Sequence, residues 1–356
     1  MSRLARLGLL AAVACSPSPA PRAAEQPVVT ASREPGRAPD AAAARGSEVL
    51  NLMPEVWAFW DEAEHLEPAR RAPLFRQRVV ERHPTLFSDA VIGLDPTRPV
   101  VLDDRIEAFL STLPQRAAIM RRLSRSIEQD LARHQRSFLR LFPDFTWDGR
   151  TVFTVSLDAF DGALREVDGR MTLLFGLDKI AALHGDAADI APLFHHELFH
   201  VHHLALLAPE PGAPPRLYQA LWFEGLAVHV AKSMHPHAAP VALTLTDEML
   251  RVPAARQREL FGELLTHLDS SEPEVYRDFF RGSGSRPGAP PRMGYFLGLR
   301  VAEHVARATA RATGQTPGSG TTLGKLARLR DPELRRAIAD ALAALAETTA
   351  SNGATR

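Results

Sequence analysis

The sequence predicts an α+β protein, mostly helical, with one small sheet lying between two helical stretches. Three observations carry that reading. Apolar residues recur at helical spacing over 47–142, the period shortens to two in brief runs between 151 and 175, and helical spacing then returns. The 356 residues are 45% hydrophobic and 24% charged, enough to bury one large core or two modest ones.

Taken in order, residues 16–46 are rich in Pro, Ala and small polar residues. They lack an apolar period that could offset the entropy of folding, so they read as a flexible tether. The stretch 47–145 reads as a helical N-terminal lobe. Its clearest stripe places Met120, Leu123, Ile127, Leu131, Phe138 and Leu141 three, four or seven residues apart. His134 lies on that stripe and reads as a packed core histidine. Arginine clusters near 70–82 and 121–140 are broken by acidic and apolar residues, and read as solvated helix faces. With 42 Lys plus Arg against 42 Asp plus Glu, nothing in the net charge draws the chain to nucleic acid.

The segment 146–348 reads as a second lobe. Residues 151–157 and 170–175 are β-rich, separated by the turn signals Asp161-Gly162 and Asp168-Gly169. Asp189 suits the cap of a helix running to about 207, with Pro192 tolerated in its first turn and Pro209 and Pro211 stopping it. Further helices are expected over 217–233, 241–268, 293–313 and 331–348, with a tail at 349–356.

The chemistry concentrates on the helix from Asp189. In His196-Glu197-Leu198-Phe199-His200 the two histidines are four residues apart, on one helix face with Cβ atoms ~5–6 Å apart, so both imidazoles can converge on one ion. Glu197, one step round the helix, can reach the open side of that ion. A catalytic zinc takes three protein ligands plus a water whose pKa it lowers to about 7, and a nearby carboxylate can take the proton. So short a string arises by chance, and its setting decides. Glu224, in Leu221-Trp222-Phe223-Glu224-Gly225-Leu226-Ala227, follows His200 after 23 residues on the next expected helix. Glu224 could be a solvent-facing helix residue, but a carboxylate flanked by Trp222, Phe223 and Leu226 is awkward to bury without a partner. His203 is one turn beyond His200, but a rigid helix carries it away from the ion. His195, His202 and His203 read as groups behind the ligands or at the rim, and equally well as plain surface histidines.

Together, Phe194–His203 and Trp222–Ala227 resemble the gluzincin zinc metallopeptidases, in particular a group of bacterial "predicted Zn-dependent proteases", over about 150–310. The resemblance implies a zincin-like catalytic lobe, zinc as cofactor, and His196, His200 and Glu224 as its ligands. It implies Glu197 as catalytic base and a peptide or unfolded protein as substrate. It further implies an edge strand along the cleft, for which 170–175 is the candidate, and a cleft with the ion at its floor. Some members bring a tyrosine from a later helix to the oxyanion. Here that is Tyr295, in Met293-Gly294-Tyr295-Phe296-Leu297-Gly298, which reads equally well as a packing residue; His229 is the runner-up. Leu206 stands where metzincins carry a third histidine, and Thr172 stands where the aminopeptidase branch carries a glutamate, so neither pattern is met. A zinc hydrolase of non-peptide amides or esters, and a non-catalytic envelope lipoprotein, are the rival readings. Glu197 speaks against the latter, because a structural zinc needs a fourth protein ligand and no base.

The N-terminus carries a separate signal. Residues 1–6 are basic, 7–14 are apolar, and the single cysteine, Cys15, ends the run, so no intrachain disulfide is possible. This resembles a bacterial lipoprotein signal, although Ala12 stands where that pattern prefers Leu. The resemblance implies a signal at 1–15, lipidation of Cys15, and a membrane-tethered protein of the cell envelope. Ser16 after the cysteine resembles the sorting pattern for the outer membrane. Eight residues span only ~12 Å as a helix against a ~30 Å bilayer core.

Overall fold

The computed structural model describes residues 48–93, 101–125, 127–207, 214–281 and 286–347. The signal at 1–15, the tether at 16–46 and the tail at 349–356 lie outside the described residues.

The chain opens with β1 (Glu48–Asn51), followed by α1 (Met53–Ala63) and α2 (Pro68–Phe75), the latter running into a π-helical turn at Arg76–Val80. Next come α3 (Asp89–Ile92), α4 (Leu102–Ser124) and α5 (Ile127–Leu141). Strands β2 (Arg150–Thr154), β3 (Gly162–Val167) and β4 (Arg170–Gly176) follow, then α6 (Leu177–His184), α7 (Ile190–Leu207) and α8 (Leu217–Met234). The chain continues through α9 (Asp247–Arg251), α10 (Ala254–Thr266), α11 (Pro273–Phe280), α12 (Met293–Thr313), α13 (Gly320–Ala327) and α14 (Glu333–Glu347). This is the mostly helical α+β class expected, with a four-stranded mixed sheet.

Several elements differ from the expectation, each for a physical reason. The stretch read as wholly helical begins with β1, which pairs in parallel with β2 from Glu48↔Arg150 to Asn51↔Phe153. Four residues are too few to show a period, and the pairing spans a hundred residues of sequence. The stripe from Met120 to Leu141 falls on two helices, with Arg125 in the turn between them, yet Met120, Leu123, Ile127, Leu131 and Phe138 are all buried. A stripe dictates which side is buried and says nothing about backbone continuity. Residues 241–268 break into a 3-10 turn at Pro240–Leu243, then α9 and α10, with Thr246 capping α9 and Pro253 preceding α10.

The sheet carries the largest correction. Asp168 and Gly169, with φ of 53° and 71°, form a two-residue hairpin loop, so 162–167 is a strand rather than a spacer. Strand order is β1-β2-β4-β3, with β4 parallel to β2 and antiparallel to β3. Residues 170–175, expected at the edge, are therefore interior, which suits a strand buried from Met171 to Gly176. The edge is β3.

Helix α7 packs on β3, α5 and α8, and α8 packs on α12. The crossing of α8 and α12 is close because glycines meet there. A Cβ on Gly225 would sit 2.2 Å from the Gly298 carbonyl carbon, and one on Gly298 would sit 2.7 Å from the Leu221 carbonyl oxygen. No helix among the described residues is long and apolar enough to cross a membrane.

Candidate metal centre

Helix α7 begins where Asp189 Oδ1 accepts the Ala191 N–H at 2.9 Å, a cap the sequence signals plainly. Every residue from Ile190 to Leu204 is then buried. A helix buried all round must satisfy its polar side chains from neighbouring elements, and α7 carries five histidines and Glu197.

Two of those histidines and Glu224 converge. His196 Nε2 and His200 Nε2 are 2.9 Å apart, and Glu224 Oε2 lies 3.4 Å from the first and 3.3 Å from the second. The three side chains are 3 to 5% exposed, and one donor atom from each lies within 4.8 Å of the others. Glu224 projects from α8, where Phe223 stacks its ring on His200 at 4.1 Å and 12°. Gly225 lets α12 approach immediately behind the carboxylate.

Electrostatics fit a cation at this point. Burial opposes charge on Glu224, yet His200 and His196 hold its carboxyl far below the usual range. Burial likewise opposes charge on His200, and Glu224 overrules it and raises the pKa. His196 is lowered by burial and by His200. Glu224 Oε2 nevertheless has no hydrogen-bond partner, an expensive state for a buried carboxylate oxygen. One divalent ion would satisfy that oxygen and both imidazoles together, displacing the proton shared among them. The donor set fits a metal ion, and two imidazoles with a carboxylate suit zinc among others.

Glu197 lies beside this triad, 7% exposed. Burial pushes its carboxyl up to about 7, opposed by His200 and reinforced by Glu224 and Asp161. A Cβ on Gly162 would come within 2.5 Å of Glu197 Oε1, so the first residue of β3 lies directly against the carboxyl group. Only glycine leaves that space. The Tyr295 ring sits 6.4 Å from the His196 ring at 22°, and burial, with Glu224, raises its phenol pKa so that it stays protonated.

The remaining histidines are not rim groups. His195 donates or accepts at His235 Nε2 (2.6 Å), while its Nε2 lies 2.9 Å from Ser137 Oγ and 3.0 Å from the His134 carbonyl. A cavity of about 620 Å³ borders this cluster rather than the triad. His202 packs among Phe138, Phe142 and Phe145, and His203 between Phe199 and Phe223. His229 Nε2 lies 3.4 Å from the Pro317 carbonyl, and its ring takes no part in the triad.

Sequence reasoning missed Gly162, Asp161 and Arg292 at this centre. The first two read as a turn signal, and nothing local distinguishes Arg292. No protein-family model, curated protein or solved structure matches this chain.

Proposed function

We propose that the chain is a zinc-dependent peptidase, and the observation that carries this reading is the buried triad of His196, His200 and Glu224 with the Glu197 carboxyl beside it, against Gly162 of β3. His196, His200 and Glu224 would hold the ion, which when bound supplies Lewis acidity and lowers the pKa of water to about 7. Glu197 takes the proton of the attacking water and passes it to the departing amine, and a carboxyl near neutrality can do both. Tyr295, protonated, donates to the carbonyl oxygen as negative charge develops there. β3 ends the sheet beside this site, and a peptide or unfolded segment would reach it at Gly162 and Glu166, its two residues that are not buried.

The test is direct. Purified protein should contain one zinc per chain and release peptides from fluorogenic casein, and a chelator should abolish the release. Zinc-loaded protein that cleaves simple esters but no peptide would move the reading to a non-peptide hydrolase.

Location belongs to the same proposal. Lipidation of Cys15 would tether the enzyme to the envelope, in the outer membrane, because each buried CH₂ contributes about 0.8 kcal/mol and several chains act together. Wild type should incorporate labelled fatty acid and pellet with membranes, and Cys15→Ser should do neither. Unlabelled wild type in the soluble fraction would remove the anchor.

A further inference from the structure

We propose that Arg292 is a positioning residue that holds Tyr295 over the metal centre. The inference rests on the peptidase reading for its kinetic consequence, though not for its geometry.

Arg292 directly precedes α12 and breaks two local rules at once. Its backbone is left-handed, with φ 60° and ψ 19°, a region that residues with a Cβ rarely adopt. Helix starts favour Ser, Thr, Asp, Asn or Gly, and a cation there faces the positive end of the helix dipole. Such conflicts persist where the surroundings compensate them, and they concentrate at functional sites.

The compensation is visible. The Arg292 guanidinium carbon lies 4.5 Å from the centroid of the Tyr295 ring, and its Nη1 lies 3.9 Å from Asp161 Oδ2. That carboxylate oxygen is buried without a hydrogen-bond partner, so the guanidinium is its charge partner. Asp161 immediately precedes Gly162, the residue against Glu197, and Tyr295 lies nearly parallel to His196. Phe280 closes the Tyr295 ring from another side, at 6.1 Å and 61°. A chain of contacts therefore runs from β3 through Asp161 and Arg292 to Tyr295 and the first metal-site histidine. The guanidinium is 27% exposed and stacked on the phenol. The left-handed turn is what lets a residue three positions before Tyr295 reach back over its ring.

The test uses Arg292→Gly, which removes the guanidinium and suits the left-handed backbone, so the fold is retained. With zinc-loaded full chain and a peptide substrate, kcat should fall roughly ten- to a hundredfold, as a misplaced group does, with KM within about twofold. Arg292→Lys, which keeps the charge but loses the planar stack, should recover part of the loss. In a Tyr295→Phe background Arg292→Gly should add nothing. Multiplying effects, or a raised KM at unchanged kcat, would mean that Arg292 meets the substrate itself and overturn the inference. A second arm needs no activity. The chain has three tyrosines, so protein labelled with fluorotyrosine gives few ¹⁹F signals, and Tyr295→Phe assigns the relevant one. Arg292→Gly should move that signal further than those of Tyr218 and Tyr276, and an unmoved signal overturns the inference. If wild type cleaves no peptide, the peptidase reading fails while the fluorine result still decides this one.

Discussion

Two histidine pairs form at helix α7, one within the helix and one with His235 at the end of α8, and their surroundings differ. His196 and His200 bring ring nitrogens to 2.9 Å, and one residue back His195 meets His235 at 2.6 Å. Proximity is similar in both, although His235 is half-buried where the other three are buried. In the second pair His195 makes its other contacts to neutral groups, Ser137 Oγ and the His134 carbonyl, and Asp189 is the carboxylate felt by His235. Burial drives His195 down to about 3, so it is neutral and needs no counter-ion. The first pair faces Glu224, held ionised, with an oxygen that no hydrogen bond reaches. What marks the candidate metal centre is a carboxylate oxygen left over after the hydrogen bonds are made. Crowded imidazoles alone make only a polar core.

The largest expected effect separates Glu197 from the ligands. Glu197→Gln should keep zinc while turnover falls on the order of a hundredfold to ten-thousandfold, the usual cost of losing a general base. Side-by-side metal analysis and casein hydrolysis check this, and wild-type-like hydrolysis would remove Glu197 from the mechanism.

The comparison itself breaks or holds on two variants. Glu224→Gln should drop the metal content well below one per chain with the fold intact, whereas His235→Ala should leave it at one. His235→Ala should cost only about 0.5–1.5 kcal/mol, one hydrogen bond. Elemental analysis with a urea melt reads both, and the reverse pattern of metal loss would end the distinction.

A smaller effect tests the backing of the centre. Gly298→Ala forces a Cβ to within 2.7 Å of the Leu221 carbonyl oxygen, so α8 and α12 must separate. Overpacking of this kind costs about 1–3 kcal/mol, and turnover should fall as Glu224 and Tyr295 move apart. Unchanged melting and turnover would show that the crossing has slack.

The remaining test is acid stability, and it belongs to the buried histidines outside the triad. Burial lowers His195 and His203 to about 3 and His202 to about 4, so below their ordinary value of 6.5 the unfolded chain binds more protons. The stability they allow is fully present above pH 6.5 and is lost as pH falls toward those folded values. Melting temperatures of Glu224→Gln between neutral pH and about pH 4.5 isolate this from acid-driven metal loss. A flat profile would mean that these histidines are not held neutral.

Helices were legible where the signal was local. The expected 293–313 helix matches α12 residue for residue, and Asp189 caps α7 as read. His196 and His200 were legible for the same reason, because a spacing of four is helix geometry. Glu224 was legible through the resemblance of Trp222–Ala227 to a known motif, and its apolar neighbours only argued against a solvent-facing carboxylate. The sheet was read less well. Strand β3 looked like a spacer between turn signals, and β1 was too short to show alternation.

The sequence by itself determined the fold class, the motif helix and the pair His196 and His200, because helical periodicity and i,i+4 convergence are properties of a few consecutive residues. That Glu224 joins them was implied by a motif resemblance and is a contact between two helices. Tertiary structure alone decided that β3 and not β4 is the edge, since edge position depends on which strands pair across the chain. It also decided that Gly225 meets Gly298, that Gly162 leaves room for Glu197, and that Arg292 reaches Tyr295 and Asp161. Each of these is a contact between elements whose separation in sequence carries no trace of their separation in space.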